Sequence, residues 1–163
     1  MSADRHAQGQ VTVNPELQTA KARANSCTVL AFDFGARFIG IAVGDRATRL
    51  AHPLGHFEAT DGKRRMERIE ELVREWRPAR LVVGLPLALD GTEHLMTARA
   101  RHFARELAAR FGLPVDLADE RLSSASAQEA LRAVGLGGRR HKHAAHALAA
   151  QIILQAYLEE SRL

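Results

Sequence analysis

Apolar positions along the chain fall into short blocks with two periods. TVLAF (28–32), FIGIAV (38–43) and a weaker LAHPLGHF (50–57) are β-favouring runs joined by short links that carry Gly35 and Gly44. They predict three antiparallel strands in a meander. The spacing then becomes helical: Met66, Ile69, Leu72, Val73 and Trp76 share one face, with Thr60 or Asp61 as cap and Pro78 as stop. RLVVGLP (80–86) is short and wholly apolar, as a parallel strand covered on both faces should be. Thr92 is expected to open a second helix with Met96, Ala100, Phe103, Leu107 and Phe111 on one stripe, closed by Gly112 and Pro114. VDLAD (115–119) is the next strand. Ser126 with Glu129 suggests a capping box for a helix ending near Gly135. GLGGRRHKH (135–143) reads as a basic, glycine-rich loop. The helix after it, AAHALAAQIILQAYLEE, is expected to turn Ala145, Leu148, Ala149 and Ile152 inward.

Three antiparallel strands followed by crossover-connected parallel strands make an α/β fold, a mixed sheet with helices on both faces. Residues 1–26 have no sustained periodicity and read as a disordered extension, which leaves 27–163 as one domain. The chain has 163 residues, 46% of them hydrophobic and 26% charged, as in ordinary globular proteins. Its formal charge of +4 leans toward an anionic partner. A single cysteine, Cys27, excludes an internal disulfide and suits a reducing cytoplasm. No apolar run approaches the roughly 18 residues of a membrane span.

The candidate chemistry starts with Asp33, which ends the first strand just before a glycine-bearing turn. An unpaired buried carboxylate costs several kcal/mol, so Asp33 needs either a structural partner or a cation. In mixed sheets ligands gather at the carboxyl ends of neighbouring strands, and Asp119 with Glu120 ends the last one. If the two strands are adjacent or one apart, these acids converge, and a divalent cation would relieve their repulsion. The alternative is that Asp33 only caps the turn at Gly35. Gly84, Pro86 and Gly91 suggest a shaped loop, in which Asp90 has a turn role or touches substrate. Arg121, Ser123 and Ser124 suit either a phosphate or a helix cap. Arg139, Arg140, His141, Lys142 and His143 form either a phosphate clamp or a solvated linker. One Trp and one Tyr leave few platforms for stacking bases.

Four ordered segments then add a resemblance: DFGARFIGIAVGD (33–45), VVGLPLALDGTE (82–93), GLPVDLADERLSSASAQEAL (112–131) and LAAQIILQAYL (148–158). Together they resemble the YqgF/RuvX family of Holliday junction resolvases and pre-16S rRNA nucleases with an RNase H-like fold. The resemblance implies a metal-dependent endonuclease whose ligands are Asp33 and Glu120, with Asp119 able to replace Glu120 after a one-residue register change. The family's third acid falls at His146, as ligand or general base. A nitrogen donor favours Mn²⁺ over Mg²⁺, and a neutral imidazole near a helix start implies activity rising between about pH 6 and 8. The implied partners are precursor rRNA or branched DNA, no membrane, and room for a homodimer. A non-catalytic RNA- or junction-binding protein is the competing reading, favoured by the missing acid. The first hairpin also resembles actin-like and sugar-kinase ATPases, but the chain is too short for their two domains.

Overall fold

The computed structural model describes residues 26–122, 129, 130, 132, 133 and 139–161. Residues 1–25 of the predicted extension, Ser126 and Gly135 lie outside these residues. Five strands form one sheet: β1 (Thr28–Phe34), β2 (Phe38–Asp45), β3 (Leu50–Glu58), β4 (Arg80–Leu85) and β5 (Val115–Asp119), in the order β3-β2-β1-β4-β5. β1, β2 and β3 pair antiparallel, whereas β4 is parallel to both β1 and β5. The carboxyl ends of β1 and β5 therefore flank the end of β4. β3, on the edge, carries Pro53 where a missing N–H is tolerated, and bulges between its pairings with Ile41 and Ala42.

Alternation along the strands divides the interior into two layers. Leu30, Phe32, Ile39, Ile41, Val43, Leu81 and Val83 face helices α1 (Gly62–Trp76) and α2 (Leu95–Phe111). On the other face Val29, Ala31, Ala42 and Val82 meet helix α3 (Arg139–Glu160). Asp61 caps α1 by accepting the N–H groups of Lys63 and Arg64 at 2.9 and 3.3 Å. Gly112, with a φ of 62°, closes α2 in the left-handed region that glycine enters without strain.

Three local expectations fail. Thr92 does not start α2: its N–H and hydroxyl both donate to Asp90 Oδ1, at 2.9 and 2.7 Å, and hold a turn. The helix begins after His94. Thr97, fully buried, accepts the His94 N–H at 3.1 Å and donates to the Pro86 carbonyl. Residues 139–143 are not a loop, because α3 already begins at Arg139. Arg, His and Lys are adequate helix formers once Gly137 and Gly138 are behind them.

The inward stripe of α3 is Ala147, Ala150, Ile153, Leu154 and Leu158, not Ala145, Leu148, Ala149 and Ile152, which are partly exposed. The helix is apolar almost all round, so spacing alone cannot choose its buried side. Two glutamines choose it. Gln155 Oε1 accepts the Ala51 N–H at 3.0 Å and its Nε2 donates to the Arg49 carbonyl at 2.9 Å, while Gln151 Nε2 donates to the Ala51 carbonyl at 3.1 Å. These bonds fix α3 along the outer strand.

Candidate active site

Asp33 lies on the α3 face of β1. Its partner in β2 is Gly40, which in turn pairs with His56 of β3. On its other side, one step past the Phe32–Val83 pair, is Gly84 of β4. The carboxylate thus has a residue without a side chain on each flank. A Cβ at Gly84 would lie 2.7 Å from Glu120 Oε1, so the missing atom leaves the space in which Glu120 crosses β4 to reach Asp33. Gly84 therefore belongs to the strand expected over 80–86, and the loop starts after it. A Cβ at Gly40 would lie 1.9 Å from the His146 carbonyl oxygen, so α3 rests with its backbone directly on the sheet. Gly35 serves the turn: its N–H donates to the Phe38 carbonyl at 3.0 Å, and a Cβ there would lie 2.5 Å from the same oxygen.

The Asp33 and Glu120 carboxyls are hydrogen-bonded to each other. Burial pushes Asp33 above the usual carboxylate range, an effect the bond from Glu120 partly offsets. Glu120 is pushed up to about 8, first by burial and then by the Asp33 charge. Without a cation the pair holds a proton near neutral pH. Asp119 points elsewhere. Its carboxylate accepts from the Arg121 N–H at 2.9 Å, from Nε at 3.0 Å and from Nη2 at 2.6 Å, and these bonds hold it below its ordinary value. The structure accordingly brings Glu120, and not Asp119, to Asp33.

Arg121 also donates to the Leu89 carbonyl at 3.5 Å, fastening the 86–94 loop beside the site. Asp90 serves the turn in this loop. Leu89 at its tip is 97% exposed.

His146 is in the eighth position of α3, two turns from Arg139, where the field of the helix terminus has faded. The expected neutralisation by the helix dipole is thereby removed. Its ring lies 5.1 Å from Phe38 and 5.7 Å from His56, while its backbone carbonyl stands over Gly40, the β2 partner of Asp33. Among the described residues, no group of three or more His, Cys, Asp or Glu is arranged to hold a metal ion. Ser123 and Ser124 lie outside the described residues. Arg139, Arg140 and Lys142 occupy the first turns of α3. The roles of Gly40 and Gly84 escaped the sequence reading, although I-G-I-A-V-G in β2 alternates large and small residues within one apolar run.

This architecture has a match. The family model described as "RuvX: Holliday junction resolvase" covers residues 27–160. The chain belongs to that family. A RuvX relative from Nitrosomonas europaea, named "Putative pre-16S rRNA nuclease", is 47% identical over 138 residues, 85% of this chain and 93% of the relative. One of the same name from Klebsiella pneumoniae strain 342 is 46% identical over 136 residues, 83% of this chain and 99% of the relative. Among solved structures, Thermus thermophilus RuvC in complex with a Holliday junction substrate superposes with a TM-score of 0.53 at 20% identity, covering 83% of this chain and 96% of that one. Fowlpox virus resolvase, solved with Holliday junction DNA, gives 0.51 at 8% identity over 83% and 99%. At these identities the two establish a shared RNase H-like fold. No helix among the described residues is long and apolar enough to cross a membrane.

Proposed function

We propose that this RuvX protein is a metal-dependent nuclease that hydrolyses phosphodiester bonds in structured nucleic acid, either a four-way DNA junction or the precursor of 16S rRNA. The observation that supports this best is the half-buried, proton-sharing pair of Asp33 and Glu120 at the carboxyl ends of two parallel strands. Two hard oxygen donors that retain a proton at neutral pH suit a divalent cation, Mg²⁺ or Mn²⁺, whose remaining ligands come from water and phosphate. Such a cation supplies Lewis-acid polarisation of the phosphate and a more acidic water.

The side chains of this chain do the rest. Asp33 and Glu120 give up their shared proton on loading and then present two carboxylates to the cation. Gly84 leaves room for Glu120 to reach Asp33, and Gly40 lets α3 lie close against the strand beside it. Arg121 and the first turns of α3, with Arg139, Arg140 and Lys142, offer positive charge to neighbouring phosphates. His146, whose backbone rests on the β2 partner of Asp33, is the candidate third group, as a nitrogen ligand or as acceptor of a water proton. A cytoplasmic location and a homodimer belong to the same reading.

Junction DNA and precursor rRNA should be offered side by side to the purified protein in Mg²⁺, Mn²⁺ and EDTA. Asp33→Asn should abolish cleavage in either metal; an Asp33→Asn protein that cleaves at the parental rate ends the assignment of the site to Asp33, and a parent that cleaves neither substrate in either metal ends the nuclease reading. His146→Ala should lose more rate in Mn²⁺ than in Mg²⁺ if the ring is a ligand and equally in both if it accepts the water proton, and cleavage at the parental rate with the same metal preference makes His146 structural. The histidine at the third position favours one competing reading, a protein that binds without cutting. It would show as unchanged substrate in Mn²⁺ despite tight binding.

Binding should also depend steeply on salt. Replacing Arg139, Arg140 and Lys142 together with Ala is expected to lower the log–log salt slope by roughly one for each phosphate left unneutralised. An unchanged slope would assign these residues to solvent.

A further inference from the structure

On the face of the sheet opposite the carboxylate pair, a cavity of about 530 Å³ opens between the end of β1 and helix α2. Cavities that hold small ligands are commonly about 300–1,000 Å³. Its walls include Phe34, Thr60, Arg65, Arg99, His102 and Glu106, with the small side chains of Ala36, Ala59 and Ala98 between them. Phe34 follows Asp33 directly and points the other way, so the cavity lies across the strand end from the site.

Arg65 is the centre of this cavity. Its side chain is only 18% exposed, and its guanidinium lies 5.8 Å from the Phe34 ring and 5.7 Å from that of Phe103. Those two rings stack on each other at 4.8 Å. A guanidinium has five N–H donors in one plane, and here they are poorly used. Nη1 reaches the Ala59 carbonyl at 3.5 Å and Nη2 reaches Glu106 Oε2 at 3.3 Å, both long, while Nε is buried with no partner. A buried donor left unmade costs about 1–3 kcal/mol, and such groups in native proteins call for an explanation. Glu106 is already shared, since His102 Nε2 lies 3.3 Å from its Oε1. Arg99 adds a further cation. The wall thus holds more positive than negative charge, next to apolar surface.

We infer that this cavity binds one phosphorylated nucleoside unit. Arg65 and Arg99 take the phosphate, with small readjustment of the loosely held Arg65, and the flat base lies against Phe34 and Ala98. A phosphate alone would leave the apolar wall uncovered, and a base alone would leave the guanidinium donors unmet. The unit is either a free nucleotide or, resting on the nuclease reading, a nucleotide of the substrate strand that crosses the end of β1 from the cleavage site.

The test uses the full chain carrying Asp33→Asn, without metal, so that cleavage does not intervene. Adenosine 5′-monophosphate, inorganic phosphate, adenosine and a six-nucleotide single-stranded RNA are titrated while amide resonances are followed by NMR. The monophosphate should shift Phe34, Arg65, Arg99 and His102, with phosphate and adenosine each binding about tenfold more weakly, the equivalent of losing one charge-assisted hydrogen bond. Arg99→Ser, and separately Ala98→Phe, should each weaken binding about tenfold. Both positions are exposed on α2, so the fold should survive, as an unchanged melting temperature would confirm.

If the RNA binds at the same residues more tightly than the monophosphate, the substrate strand is the source. If only the monophosphate binds, a free nucleotide is. Absence of shifts with the RNA and with the monophosphate up to about 10 mM, or binding indifferent to both substitutions, overturns the inference. Because the readout needs no cleavage, loss of the nuclease reading would leave the cavity's ligand standing, and the reverse holds equally.

Discussion

Glutamine in place of Glu120 is expected to abolish metal-dependent cleavage and yet make the metal-free protein more stable at pH 8. The carboxyl of Glu120 is pushed up to about 8 in the fold by burial and by Asp33, whereas in the unfolded chain it ionises near 4.5. Below about pH 4.5 both states hold the proton and the parent suffers no penalty. As the pH rises from there toward 8, the unfolded state releases its proton first, and the native state is progressively disfavoured. Each tenfold difference in proton affinity between the two states corresponds to about 1.4 kcal/mol, so the rise from 4.5 to about 8 sets an upper bound of about 4 kcal/mol at pH 8. Solvent screening of this partly exposed group reduces the gain from neutralising it to roughly 2–3 kcal/mol. With about 2–4 °C per kcal/mol, the melting temperature should rise by about 5–10 °C. Glutamine keeps the shape that fits over Gly84 and can still donate to Asp33. The difference should shrink to almost nothing at pH 4.5, and Mn²⁺ should stabilise the parent but not the variant. Melting curves of both proteins at the two pH values, with EDTA and with Mn²⁺, decide it; a variant less stable than the parent at pH 8 would contradict the proton-sharing pair.

The second large effect concerns a single methyl group. Gly40→Ala should cost about 3 kcal/mol or more, because the new Cβ would stand 1.9 Å from the His146 carbonyl oxygen and 2.5 Å from its carbon. Both are backbone atoms, so no rotamer change relieves the clash. The helix cannot slide away cheaply either, with Leu154 and Leu158 buried and Gln151 and Gln155 bonded to β3. The melting temperature should fall by about 6–12 °C, and any survivor should have α3 displaced from the site. Gly84→Ala is a milder case: its clashes are with Glu120 and Ile153 side chains, at 2.7 Å each, which can swing. It should impair cleavage more than folding. Gly62→Ala, whose Cβ would meet only Arg65 Nη2 at 3.7 Å, is the control and should be neutral or slightly stabilising. Gly40→Ala melting at the parental temperature would show that α3 does not rest on β2.

Strand identity was readable because alternation and short glycine-bearing links leave few options, and α1 because Asp61 caps a clear stripe. The pairing of Asp33 with Glu120 followed from the carboxyl-end rule and the resemblance together. What stayed hidden depends on contacts distant in sequence. Gly84 was legible as part of the strand over 80–86, but not the reason for a glycine there, which is the passage of Glu120 from the end of β5 to Asp33. The start of α3 was obscured by glycines that favour a loop over the helix that follows. Its buried face was ambiguous because only the reach of Gln151 and Gln155 to β3 distinguishes one apolar side from another. Arg121 suited either a phosphate or a helix cap, and its capture of Asp119 two residues earlier decides which acid faces inward.

The grip of Gln151 and Gln155 on the rim has a consequence for assembly. An outermost strand normally offers a row of vacant donors and acceptors, an invitation for another chain to add itself. Here the helix's amides imitate the neighbour that β3 lacks, taking both the N–H and the carbonyl of Ala51 and the carbonyl of Arg49. Pro53 and the bulge spoil the next stretch. The first half of this border is sealed from within, so a copy of the protein that meets it there finds no continuous row of donors and acceptors to extend.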